Sequence, residues 1–263
     1  MVYKKNNFKY LFEGVYKNSE EASKNLKNNS FFNLNFYKKN QIKIIKLCYK
    51  NFFIKKNIPA FYKQHTQYLI NSISILNKKN VSVLDVGGGW GIGHLHCLES
   101  FSKKIFNKLR YYIYDLKKIC ELGEIFYKKK INTNNLFYSN KLDELLTKNF
   151  DIIFFGSSLQ YFDQPLDLLK RVIRCNFKYL IFIDVYLTNQ KTFFTLQNYY
   201  GAFTSHSFIN RFDFFKILEK KTRLISITNS HTVRLDKIDE LNMNNFPKKL
   251  RVKNSFNIIF KKK

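Results

Sequence analysis

The stretch Val83-Leu84-Asp85-Val86-Gly87-Gly88-Gly89-Trp90-Gly91 carries the residue types best suited to cradle a small ligand. It places an acid, one spacer and then Gly-x-Gly-x-Gly after an apolar run and before a helical pattern. Residues without a Cβ let the backbone turn tightly and let a ligand lie against it. Spacing separates this loop from two other glycine loops. The dinucleotide fingerprint Gly-x-Gly-x-x-Gly/Ala needs Gly or Ala at Ile92, His94 or His96, depending on the starting glycine, and no register fits. The phosphate-binding ending Gly-Lys-Ser/Thr is absent.

Other reactive side chains are scattered. Cys48, Cys97, Cys120 and Cys175 form no Cys-x-x-Cys pair, and no His stands nearby at metal-finger spacing. No metal site is argued. Reduced, dispersed thiols fit a cytoplasmic protein. His94 and His96 stand two apart on an expected helix, hence on different faces, and read as structural. His65 and His231 have no companion ligands.

The loop needs a strand before it and a helix after it, and the chain supplies both. Residues 81–86 form a short apolar run closed by glycines, a buried strand. A helix is expected over 91–106, a second strand over 111–115 and a second helix over 116–129. Further strands are expected at 135–139, 151–156 and 179–184, with a helix over 165–175 between the last two. An aromatic-rich segment, a helix after Ser207 and strands at 224–228 and 256–260 complete the pattern. Alternating strands and helices imply a mainly parallel sheet of seven strands with helices on both faces. Ligands of such sheets bind beyond the carboxyl ends of the strands. Residues 1–80 read as a helical N-terminal extension or cap. Ser19-Glu20-Glu21-Ala22 resembles a helix start, Ile42, Ile45, Tyr49 and Phe52 form an apolar stripe, and Phe61, Tyr68, Ile75 and Leu76 suggest another helix.

Charge is the unusual global property. The 263 residues carry 46 Lys+Arg against 19 Asp+Glu, for +27, yet only seven are Arg. Half of the excess lies in residues 1–80, where sixteen Lys meet only Glu13, Glu20 and Glu21. Such a balance admits a nucleic acid or peripheral contact with an anionic membrane surface. Joint abundance of Lys, Asn, Ile and Phe equally fits an AT-rich coding bias. Scarce Arg weighs against nucleic acid. No run reaches membrane-span length, and residues 1–12 lack the apolar core of a secretory leader.

The arrangement Asp-x-Gly-x-Gly-x-Gly after the first strand resembles the glycine motif of the class I, Rossmann-like S-adenosylmethionine-dependent methyltransferases. This resemblance implies S-adenosyl-L-methionine as cofactor, held at Asp85, Gly87, Gly88, Gly89 and Gly91. Asp115, ending the second strand, matches the family's acid that hydrogen-bonds the ribose hydroxyls; a second reading makes it a loop acid capping the following helix. Leu11-Phe12-Glu13-Gly14-Val15-Tyr16, Glu20-Glu21-Ala22, Ser157-Ser158-Leu159-Gln160-Tyr161 with Asp163 and Pro165, the run from Phe177 to Asp184, and Gln197 together resemble a bacterial methyltransferase family. Its genes accompany cell-surface polysaccharide biosynthesis. The resemblance implies O-methylation of a glycan, lipid-linked or small-molecule acceptor. It departs after Asp184, where Val185-Tyr186-Leu187-Thr188 replaces the family's Arg-Thr-Pro-Phe, so acceptor identity does not carry over. An RNA methyltransferase and a non-catalytic Rossmann-like binding module are the alternatives.

Methyl transfer is an in-line displacement that needs the acceptor atom held close, and a hydroxyl acceptor needs a base. In this fold the acceptor side follows strands four and five. That points to Gln160 beside the cofactor and to Tyr161, Asp184 and His206 as catalytic candidates, with Tyr186 nearby. His206, before an expected helix cap at Ser207, has the intrinsic pKa best suited to a base; an exposed loop histidine is the other reading. Tyr161 alternatively packs on Pro165. Phe193, Phe194, Tyr199, Tyr200 and Phe203 form either a lid or ordinary packing.

Overall fold

The computed structural model describes residues 10–26, 34–55, 58, 63–199, 202–230 and 241–263. Phe61, Tyr200, His231 and the first nine residues of the expected non-leader segment lie outside them. Within the described residues the strands are β1 (Phe12–Tyr16), β2 (Val81–Val86), β3 (Leu109–Tyr114), β4 (Leu136–Ser139), β5 (Asn149–Gly156), β6 (Asn176–Val185), β7 (Leu187–Thr188), β8 (Phe193–Tyr199), β9 (Ala202–Asn210), β10 (Thr222–Asn229) and β11 (Phe256–Lys262).

Seven of them form one sheet in the order β10-β11-β6-β5-β2-β3-β4. The pairs β2–β3, β3–β4, β2–β5 and β5–β6 are parallel. β11 runs antiparallel between β6 and β10. From β2 the chain adds β3 and β4 on one side, then crosses back to add β5 and β6 on the other. This reversal opens a crevice at the carboxyl ends of β2 and β5.

The central strands are apolar on both sides because helices cover both faces. Ile153 and Phe155 of β5 and Leu180 and Phe182 of β6 join one core with the helices Pro165–Val172 and Arg211–Leu218. Their neighbours Ile152, Phe154, Ile181 and Ile183 join the opposite core with the helices Leu34–Lys55, Gln67–Leu76 and Ile92–Ser100. Alternation along each strand divides these residues between the two cores. No helix among the described residues is long and apolar enough to cross a membrane.

The expected helix over 91–106 divides, because Phe101 takes extended backbone between Ile92–Ser100 and Lys103–Phe106. A second sheet, in the order β1-β8-β9-β7, was not expected. It joins Phe12–Tyr16 from the N-terminal segment to the aromatic-rich segment after β6. Phe12–Tyr16 is thus a strand, and the segment 1–80 is not helical throughout. His206 and Ser207 belong to β9 rather than to a helix entry. The cap falls at Asn210, whose side chain accepts the Asp213 N–H at 2.8 Å. The run Phe203–Ile209 does not alternate polar and apolar residues, and it is its pairing along β8 that makes it a strand.

Phe12 seals the second sheet. Its ring is fully buried, 5.2 Å from Phe208 and 4.8 Å from the His206 ring. Truncating a buried Phe costs about 3–5 kcal/mol. We therefore expect Phe12→Ala to lose a stability of that order in urea unfolding. Val15→Ala, in the same strand but 45% exposed, should change it by less than about 0.5 kcal/mol.

Candidate active site

The glycine turn is built around Asp85. This residue stands one before the end of β2, only 3% exposed, and its Oδ2 accepts the Tyr111 hydroxyl at 2.7 Å. Its Oδ1 is buried with no protein partner. A Cβ at Gly88 would stand 2.6 Å from the Asp85 Cγ, so only glycine lets the loop pass over the carboxylate. Gly87 has φ +74, and a Cβ there would meet the Ser158 Cβ at 2.5 Å. Burial pushes the Asp85 carboxyl up to about 7, against the lowering effect of the Tyr111 bond and with a smaller contribution from Asp115.

Asp115 follows β3 and is half-buried. Its Oδ2 accepts the Gly89 N–H at 2.8 Å and its Oδ1 accepts the Leu116 N–H at 2.7 Å. It therefore ties the glycine turn to the entry of helix Lys117–Gly123. Burial raises its carboxyl to about 6, opposed by those two N–H bonds. Gly89 itself faces open space, with nothing within 4 Å of where a Cβ would be. Gly91 is the N-cap of Ile92–Ser100.

The remaining candidates gather at the ends of β5 and β6. Ser158 joins the two groups, since its Oγ donates to the Val86 carbonyl at 2.5 Å. Gln160 is buried; its Nε2 donates to Ser157 Oγ at 3.2 Å and its Oε1 has no protein partner. Tyr161 is partly exposed and donates its hydroxyl to Gln197 Oε1 at 2.7 Å. Gln197 comes from β8, so the second sheet reaches this loop directly.

Asp184 is fully buried in a left-handed conformation, φ 57, which a non-glycine residue adopts only under constraint. The constraint is visible. Ser157 Oγ donates to its Oδ2 at 2.9 Å, Ser255 Oγ donates to its Oδ1, and its own N–H donates to Asn257 Oδ1 at 3.0 Å. Asp184 thus fastens the ends of β5, β6 and β11 together. His206 is fully buried in an aromatic box. Its ring centroid lies 4.5 Å from Tyr186, 4.8 Å from Phe12, 5.1 Å from Phe208 and 5.6 Å from Tyr161. Neither ring nitrogen has a hydrogen-bond partner. Burial lowers its pKa to about 3, only partly opposed by Asp184, so the ring is neutral.

His94 bonds Tyr127 and Asn135 at 2.9 and 2.8 Å, and His96 bonds Thr66 at 2.6 Å; both are packing groups. Sequence reasoning missed Tyr111, Ser157, Ser255 and Asn257. Tyr111 carried the one available signal, a polar tip at an inward position of a buried strand. Ser255 and Asn257 lie 71 and 73 residues from Asp184, and no local pattern links them.

The raised Asp85 pKa makes the fold lose stability as pH rises. The ordinary carboxylate value is 3.8 and the folded value is about 7, so the native state holds a proton that the unfolded chain releases. The contribution to stability is complete below about pH 4 and is lost as pH rises through 7. Asp85→Asn does not titrate. Its stability relative to the native sequence, measured by denaturant unfolding without ligand, should therefore rise from pH 5 to about pH 7 and level off above it. A pH-independent difference would contradict the burial argument.

No protein-family model matches this sequence, and no curated protein does. Solved structures match its architecture. Magnesium protoporphyrin IX methyltransferase from Synechocystis, crystallised with bound SAM, superposes with a TM-score of 0.54 over 89% of this chain and 93% of that one, at 12% identity. Its form with bound SAH gives the same score and identity over 89% and 96%. Identity this low speaks to architecture alone, and the architecture shared is the Rossmann-like methyltransferase fold.

Proposed function

We propose that this protein is an S-adenosylmethionine-dependent methyltransferase. The observation that carries the reading is the buried, unpaired Oδ1 of Asp85 beneath a glycine turn, with Asp115 at the next strand end. An orphaned buried acceptor costs about 1–3 kcal/mol unless something supplies a donor. Adenosylmethionine brings the donors this site lacks, an ammonium and two ribose hydroxyls. The backbone at Gly87, Gly88, Gly89 and Gly91 admits it closely, Asp115 takes the ribose side, and Gln160 borders it from β5. The exposed Leu116 beside Asp115 offers apolar surface to the flat base. When bound, this cofactor supplies an activated methyl group on a sulfonium.

The acceptor side is proposed at Tyr161, Asp184 and His206. Tyr161 is the partly exposed member and faces the acceptor, with its hydroxyl direction set by Gln197. Asp184 holds the strand ends in place, and neutral His206 backs the Tyr161 ring. Of residues 1–80, Phe12–Tyr16 and Ser19–Lys24 serve as a cap here: Phe12 closes the His206 box, and Ser19 Oγ donates to Asp163 Oδ1 at 2.5 Å. We assign as acceptor a hydroxyl of a glycan or small molecule in cell-surface polysaccharide biosynthesis. The support is the resemblance around Phe12–Tyr16 and Ser157–Pro165.

Titration calorimetry tests the cofactor. A charged hydrogen bond is worth about 1.5–3 kcal/mol, so Asp115→Ala should weaken adenosylmethionine binding by about 10- to 150-fold. No binding by the native protein at millimolar ligand overturns the reading. Transfer of a tritiated methyl group to nucleotide sugars and envelope glycans tests the acceptor. Tyr161→Phe should lower turnover by about tenfold or more through lost positioning, with cofactor affinity unchanged within about twofold.

A further inference from the structure

Part of the chain's positive charge lines one face of the helix Leu34–Lys55, far from the glycine turn in sequence. The helix Leu34–Lys55 contains six Lys and no acid. Lys39, Lys43, Lys46 and Lys50 are all exposed. At 100° per residue they fall within about 60° of one another and run about 16 Å along the helix. Among the described residues none of the four joins an ion pair. On the opposite face Ile45 and Cys48 are buried in the core that holds Trp90 and Tyr127. The helix is thus anchored by one side and presents lysine on the other.

Two further features adjoin the stripe. At its end Phe53 is 38% exposed and Ile54 is 69% exposed. Phe53 is not loose, because its ring stacks obliquely 4.2 Å from Tyr49 and edge-on 4.8 Å from Phe52. Beside the helix, Lys130 Nζ lies 5.1 Å over the Tyr49 ring, exposed Lys129 precedes it, and Ile125 is 54% exposed. The nearby Glu124 is taken by Lys128 at 3.2 Å.

We propose that this face docks the protein on an anionic lipid surface. A straight row of lysines matches a plane of negative headgroups, which attract each nearby basic residue. The exposed Phe53 and Ile54 at one end of the row would enter the headgroup–acyl boundary. A phosphate backbone of RNA has no use for an exposed Ile, and the helix holds no Arg for forked phosphate contacts. The lipid surface therefore fits both halves of the patch. This inference is independent of the methyl-transfer reading, since none of these residues belongs to the candidate active site.

Vesicle sedimentation of the full chain in 0.15 M salt tests it, comparing phosphatidylcholine alone with phosphatidylcholine containing phosphatidylglycerol. We expect binding only to the anionic vesicles. Lys43→Glu with Lys46→Glu should weaken partitioning by about tenfold or more, and Phe53→Ser with Ile54→Ser by about fivefold. A control with the same charge change, Lys248→Glu with Lys249→Glu, should alter it by less than about twofold. Equal loss from the control pair would mean general charge attraction and overturn the proposal. So would an unchanged Phe53/Ile54 variant, absence of vesicle binding, or tight Lys43-dependent binding of single-stranded RNA that vesicles do not displace. Circular dichroism and urea unfolding of each variant confirm that the fold is intact.

Discussion

A single carboxylate, taken out of water at the carboxyl end of β2, sets the terms for this fold's candidate site. Burying Asp85 costs free energy unless its oxygens find donors. One oxygen finds the Tyr111 hydroxyl; the other finds none within the protein. The surrounding sequence answers to that group. Gly88 leaves room for it, and a Cβ at Gly93 would stand 2.2 Å from the Tyr111 oxygen that bonds it. Asp115 then holds the turn open from the neighbouring strand through the Gly89 N–H. Close packing around the half-satisfied acid requires glycine at position 88, while Gly87, Gly89 and Gly91 take positive φ that other residues rarely adopt.

The other half of the site follows a different logic. Asp184 has both oxygens and its backbone N–H engaged, and its strained backbone is held by Ser157, Ser255 and Asn257. It acts as a fastener between β5, β6 and β11. His206 is the reverse case, a neutral ring enclosed by aromatic neighbours without a hydrogen bond. Such an arrangement is tolerable because the ring carries no charge at ordinary pH and its faces pack on Tyr186 and Phe12. The second sheet makes that box, and it draws its strands from opposite sides of the Rossmann-like domain in sequence.

The excess charge, read as a number, was compatible with a partner or with coding bias. Its distribution is more specific. Four lysines align on one helix face while the opposite face is core. Four of the helix's six lysines share this face; Lys38 and Lys55 fall off it at 100° per residue, and the stripe stands opposite buried Ile45 and Cys48.

The sequence by itself determined the seven strands of the main sheet and the glycine turn. Apolar runs such as Val81–Val86 and Asn149–Gly156 are local, and glycine spacing needs no partner to be read. It also placed Asp85 and Asp115 at neighbouring strand ends, because strand and acid are adjacent in the chain. Tertiary structure alone decided the second sheet, the burial of His206 and the bonds of Asp184. The strand Phe12–Tyr16 pairs with residues some 180 positions away, and a short run so placed resembles any other aromatic segment until its partner is known. A histidine's role depends on what encloses it. Whether His206 meets water or four aromatic rings is settled by strands whose pairing no local pattern encodes.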